Sequence, residues 1–157
     1  MEQYEELYSN AECFLSKGNL NLFKVHEWRT LLGESDFQIE KYDELILYFS
    51  VSAFQANTSF SSVDPPKFFD CLQKEIYSAL TDDANRGKAN ILLTSAIAGL
   101  SAMVATQFQI NPFIVGGILD LISISIAKVG VDAWCRYYEG KRLAEKEPEA
   151  EAIPMKN

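Results

Sequence analysis

The sequence predicts an all-α protein: four amphipathic helices, then a long hydrophobic helical hairpin over about 88–138, then a disordered charged tail. Three observations predict it. Apolar residues recur at helical i, i+3, i+4 intervals through roughly the first half of the chain. Residues 89–119 hold thirty-one consecutive positions without a charged side chain. Asn111-Pro112 divides that run, because proline lacks an amide donor and pushes its predecessor out of the helical region. At 157 residues the chain can bury a real core within one domain. Its regions are an acidic amphipathic part (1–85), the hydrophobic hairpin (86–140) and a flexible charged tail (141–157).

The first helix is expected over Glu2 to Ser16, with Tyr4, Leu7, Tyr8, Ala11, Phe14 and Leu15 on one buried face. Lys17-Gly18 ends it, glycine being free to take the left-handed cap conformation. A second helix fits Leu20 to Leu32, with Leu20, Phe23, Leu31 and Leu32 inward and Gly33 closing it. Ser35-Asp-Phe-Gln38 reads as a capping box that opens the third helix. There Ile39, Tyr42, Ile46, Phe49 and Ala53 form a helical stripe. Leu45 to Val51 is also rich in strand formers, so a strand is the alternative for that stretch. Ala56 to Val63 is polar and unpatterned, a loop. Asp64-Pro65 then starts a fourth helix, with an acidic N-cap and proline at the first helical position. It turns Phe69, Leu72, Ile76 and Leu80 inward.

Charge is divided unevenly. Residues 1–85 carry six Lys/Arg against fifteen Asp/Glu, a net of −9, and residues 86–157 carry eight against seven, a net of +1. Nucleic-acid affinity comes from Lys and Arg neutralising phosphates, so an acidic first half argues against that partner. Cys13, Cys71 and Cys135 are odd in number and far apart, which fits buried or half-buried free thiols in a reducing compartment. The start, Met1-Glu-Gln-Tyr-Glu-Glu, lacks the basic-then-apolar layout of a secretory signal, so the expected location is the cytoplasmic side.

Catalytic and metal motifs do not assemble. His26-Glu27 opens like a zinc-protease helix, but Thr30 stands where the second histidine belongs, and the chain has one histidine. Arg86-Gly87-Lys88 lacks the upstream glycine and the Ser/Thr of a phosphate-binding loop. Adjacent acids such as Asp43/Glu44 and Asp82/Asp83 diverge on a helix, so they read as solvated faces or caps rather than an acid–base pair. Asn57-Thr-Ser matches a glycosylation acceptor only for a chain that meets the secretory machinery. The expectation is a protein that is not an enzyme and uses neither cofactor nor metal.

Function therefore falls to the hairpin, with arms over Ala89–Ile110 and Pro112–Tyr138. In the second arm Gly116, Asp120, Ser123, Ala127 and Gly130 lie along one small or polar stripe, candidates for close helix packing or for lining a pore. Ile118, Leu119, Ile122, Ile126 and Val129 fall on the opposite, greasy side. Arg86 and Lys88 precede the hairpin, Arg136, Lys141 and Arg142 follow it, and no charge marks its turn. That is the layout of a hairpin with both ends cytoplasmic, and Trp134, Tyr137, Tyr138 and Arg136 stand where interfacial anchors would. Against insertion stand Asp120 and Lys128, since a carboxylate at a helix midpoint costs roughly 2.5–3.5 kcal/mol on insertion scales.

The leading expectation is a non-enzymatic protein that associates with membrane lipid through the hairpin, as anchor or permeabilising effector, with a partner-binding head. The alternative is a soluble all-helical interaction or regulatory module of immunity type, its hairpin buried as core. Another protein, or a second copy of the chain, is the expected partner in either case.

Overall fold

The computed structural model describes residues 2–17, 21–56, 64–81, 105–106 and 112–155. Among them every regular element is helical: α1 (Glu2–Lys17), α2 (Leu22–Gly33), α3 (Ile39–Ala56), α4 (Pro65–Thr81), α5 (Pro112–Val129) and α6 (Val131–Met155). The expected first arm of the hairpin lies outside the described residues, apart from helical Ala105 and Thr106. Leu45 to Val51, open to either reading in the sequence, is helix throughout. Its stripe of Tyr42, Ile46 and Phe49 is fully buried at helical spacing, and tertiary packing overrides the local strand preference.

Helix starts follow local chemistry, with two departures from expectation. Asn21 caps α2 by accepting a 2.9 Å hydrogen bond from the Phe23 amide, so the helix begins at Leu22 rather than Leu20. Phe23 is consequently 86% exposed instead of inward. The buried face runs through Val25, Trp28, Leu31 and Leu32, and Phe23, two residues before Val25, points away from it. The Ser35–Gln38 box lies ahead of α3 rather than inside it, where the Gln38 carbonyl accepts the first helical bond from Tyr42 at 3.2 Å. At α4 the Asp64-Pro65 start holds, and the Phe68 amide donates to the Asp64 carbonyl at 2.9 Å.

The core is built around α5. Ile114, Val115, Ile118, Leu119, Leu121, Ile122, Ile124 and Ile126 are all buried, so the helix is enclosed on nearly every side. Each such side chain contributes roughly 1.5–3 kcal/mol on burial, and together they outweigh the cost of one buried carboxylate at Asp120. The acidic α1 makes the most extensive contact with α5, and α3 packs on α5 and on α4. The first-half helices and the hydrophobic second half therefore share one continuous core.

Two close fits set the arrangement. Gly117 of α5 lies directly under the Phe14 ring of α1, where any Cβ would overlap the ring. The Trp28 indole donates to the Tyr42 hydroxyl at 3.0 Å, and that hydroxyl donates to the Leu121 carbonyl at 2.7 Å, joining α2, α3 and α5.

The expected continuous helix from Pro112 to Tyr138 is broken. Gly130 takes a positive φ of 95°, and the chain bends by 115° between Phe113–Val129 and Val131–Ala144. The left-handed conformation is open to glycine at no steric cost. The bend lays α6 against α4, with Tyr77 and Tyr138 rings 5.1 Å apart. Helical backbone continues into the charged tail as far as Met155, and its first residues are engaged. Lys141 donates to Gln73 Oε1 at 2.9 Å, and the Arg142 guanidinium lies 5.8 Å from the Tyr138 ring centroid.

Candidate functional site

The residues singled out in the sequence fall in several environments rather than one. Gly116 is half-buried, Asp120 and Ser123 are buried, and Ala127 and Gly130 are exposed. The stripe fades toward Gly130, where the helix ends and the chain bends by 115°. The glycine pressed against a neighbouring helix is Gly117, one position beyond the stripe. Among the anchor candidates, Trp134 and Tyr138 are buried and stack on one another, ring centroids 5.6 Å apart and planes 3° from parallel. Only Arg136 is exposed, and Tyr137 is half-buried.

Asp120 is 9% exposed. Burial, with the nearby Glu6 charge adding to it, pushes its carboxyl up to about 7.

A groove of about 720 Å³ opens between α3, α4 and α6. Its acids are Glu40, Asp43 and Glu44 from α3 and Asp70 from α4, and its bases are Arg136 and Lys141 from α6. Leu47, Phe69 and Tyr137 supply the apolar surface between them. Asp43 is the buried member, 6% exposed. Its Oδ2 accepts from the Tyr137 hydroxyl at 2.7 Å and from Gln73 Nε2 at 3.1 Å. Its Oδ1 is buried and has no hydrogen-bond partner among the described residues. Burial raises the Asp43 carboxyl above the ordinary range, against the pull of Tyr137, the Lys141 charge and Gln73. Burial and the facing carboxylate also push the Tyr137 phenol up, so it remains a donor. Lys141 is held in place by Gln73 and by the Phe69 ring, 5.2 Å from its Nζ.

No protein-family model, curated protein or solved structure matches the chain. The site must be read from its own chemistry.

Sequence reasoning missed this groove by treating Asp43/Glu44 as a solvated pair. The signal was present: Ile39, Asp43 and Ile46 share a face at i, i+4, i+7, as do Phe69, Gln73 and Ile76. A polar residue inside an apolar stripe on each of two neighbouring helices marks a buried polar contact.

Among the described residues no group of three His, Cys, Asp or Glu side chains is placed to hold a metal ion. His26 is exposed on α2. The three thiols are free, with Cys135 buried, Cys71 half-buried and Cys13 exposed rather than covered. No single described helix is long and apolar enough to cross a membrane, although the bent pair Phe113–Val129 and Val131–Ala144 passes the same composition test together.

Proposed function

We propose that this chain is a non-enzymatic helical interaction module, working on the cytoplasmic side, whose hydrophobic helix is used for its own core. The observation that carries this reading is the fate of the greasy side of α5. Ile118, Leu119, Ile122 and Ile126 are fully buried beneath neighbouring helices, so little of α5 is left to offer lipid. The stacking of Trp134 on Tyr138 inside the protein supports the same reading, because interfacial anchors need to reach a headgroup layer. The charged α3–α4–α6 groove offers a partner a recessed surface.

The bent α5–α6 pair keeps a second reading in view, in which the chain opens and lays this pair on a bilayer. Fractionation separates the two. The purified chain, mixed with anionic lipid vesicles and washed at high salt and alkaline pH, is expected in the supernatant without dye release from the vesicles. Retention in the washed pellet overturns the module reading in favour of the membrane.

A further inference from the structure

We propose that the α3–α4–α6 groove receives a positively charged side chain, an arginine, from a basic segment of a partner protein. This deepens the interaction-module reading and rests on it.

Charge gives the first reason. Four carboxylates face two bases across the groove, and Lys141 is already committed to Gln73 and Phe69. Glu40, Glu44, Asp70 and Arg136 are exposed, and each carries its charge into the groove. The lining therefore favours a cation and repels a second anion.

Asp43 gives the second and independent reason. Both of its intramolecular donors, Tyr137 and Gln73, converge on Oδ2. Oδ1 is left buried without a donor on a side chain that lines the groove. A buried polar atom without a partner is rare in folded proteins and calls for an explanation. An N–H group that enters from the groove and displaces the side chains closing over Oδ1 would satisfy it.

A guanidinium fits this lining better than an ammonium. It presents several N–H donors in one plane, so it can reach Asp43 and the neighbouring Glu44 or Glu40 together. It is also less strongly hydrated, and its flat face can rest on an aromatic ring such as Tyr137. The groove exceeds the needs of one side chain, which leaves room for flanking residues on Leu47 and Phe69. That extra room favours a peptide segment over a small free amine.

The test uses the full chain and amide NMR, following Gly140 in the groove wall. The probes are a short peptide of alternating arginine and leucine, the same peptide with neutral citrulline at each arginine, and an acetylated arginine amide. The arginine peptide is expected to give saturable shifts at Gly140 and to bind about tenfold more tightly than the citrulline peptide. The exposed pair Glu40→Gln and Glu44→Gln is expected to weaken it by a similar factor without changing the melting temperature. Asp43→Asn is expected to remove most of the arginine preference. Should that variant fail to fold, the exposed pair decides alone. Equal binding of the two peptides, or no saturable shift with arginine, overturns the proposal. An arginine amide that binds as tightly as the peptide assigns the groove to a small amine and overturns the partner. Vesicle retention with the arginine preference intact would instead remove only the module reading.

Discussion

The Phe14 ring occupies the place where a side chain at Gly117 would begin. This contact joins the acidic α1 to the hydrophobic α5, the two helices that pack most extensively. Gly117→Ala should therefore force the ring or the helix aside, and overpacking of this kind costs ~1–3 kcal/mol. Gly140 gives the contrast, since a Cβ there meets nothing within 4 Å. Gly140→Ala should stabilise α6 by up to about 1 kcal/mol through helix propensity alone. Urea midpoints for the two variants should move in opposite directions, and a shift of the same sign in both would contradict this packing.

Asp120 should make stability fall as pH rises. Its carboxyl binds its proton more tightly when folded, at about 7, than at the ordinary value of 3.8. The folded state is therefore unpenalised below about pH 4, loses stability as pH climbs toward 7, and changes little above that. The expected depth is ~1–3 kcal/mol, reduced from the full linkage value because some solvent contact remains. Asp43 shares the sign, while Glu12, lowered by its hydrogen bonds to Arg29, acts in the opposite sense only in acid. Melting temperatures at about pH 5 and about pH 8 should converge in Asp120→Asn. A wild type with the same stability at both values would remove Asp120 from the account.

The Tyr42 hydroxyl holds three helices together through one oxygen. Tyr42→Phe keeps the ring but strands the buried Trp28 N–H and removes a bond to the Leu121 carbonyl. Leaving such a donor unpaired costs ~1–3 kcal/mol. Denaturant titration followed by tryptophan fluorescence measures it, and an unchanged midpoint would show that the bonds contribute little.

Gly130 separates conformation from packing. It is exposed, has a φ of 95° and has open space where a Cβ would stand. A glycine kept for its backbone should be replaced more cheaply by asparagine than by alanine, because asparagine tolerates the left-handed region. Gly130→Ala should cost ~1–2 kcal/mol and Gly130→Asn less. The reverse order would return Gly130 to the packing role that its place on the stripe suggested.

Much of the fold was legible because it depends on periodicity. The Leu7–Ala11–Phe14–Leu15 face, the Asp64-Pro65 start and the Pro112 start all follow from local rules and recur in the structure. The role of Gly130 was hidden because a glycine at helical spacing looks the same whether it packs or turns the chain. The burial of Trp134 and Tyr138 was hidden for a related reason: aromatic residues after an apolar run suit an interface and a core equally well. The groove depends on contacts such as Tyr137 to Asp43, ninety-four positions apart, which no spacing rule reaches.

The packing of α1 on α5 also bears on how the chain is made. α1 ends at Lys17 and α5 is complete only at Val129, so more than a hundred residues are synthesised between them. At 5–20 residues per second that interval is on the order of ten seconds. Through it Leu7, Ala11, Phe14 and Leu15 have no α5 to cover them, and the same holds for the α3 face that meets Leu121. A nascent chain stalled before Pro112 would present these apolar faces together. Chaperone engagement should then rise with delay in that interval and drop once Val129 has emerged.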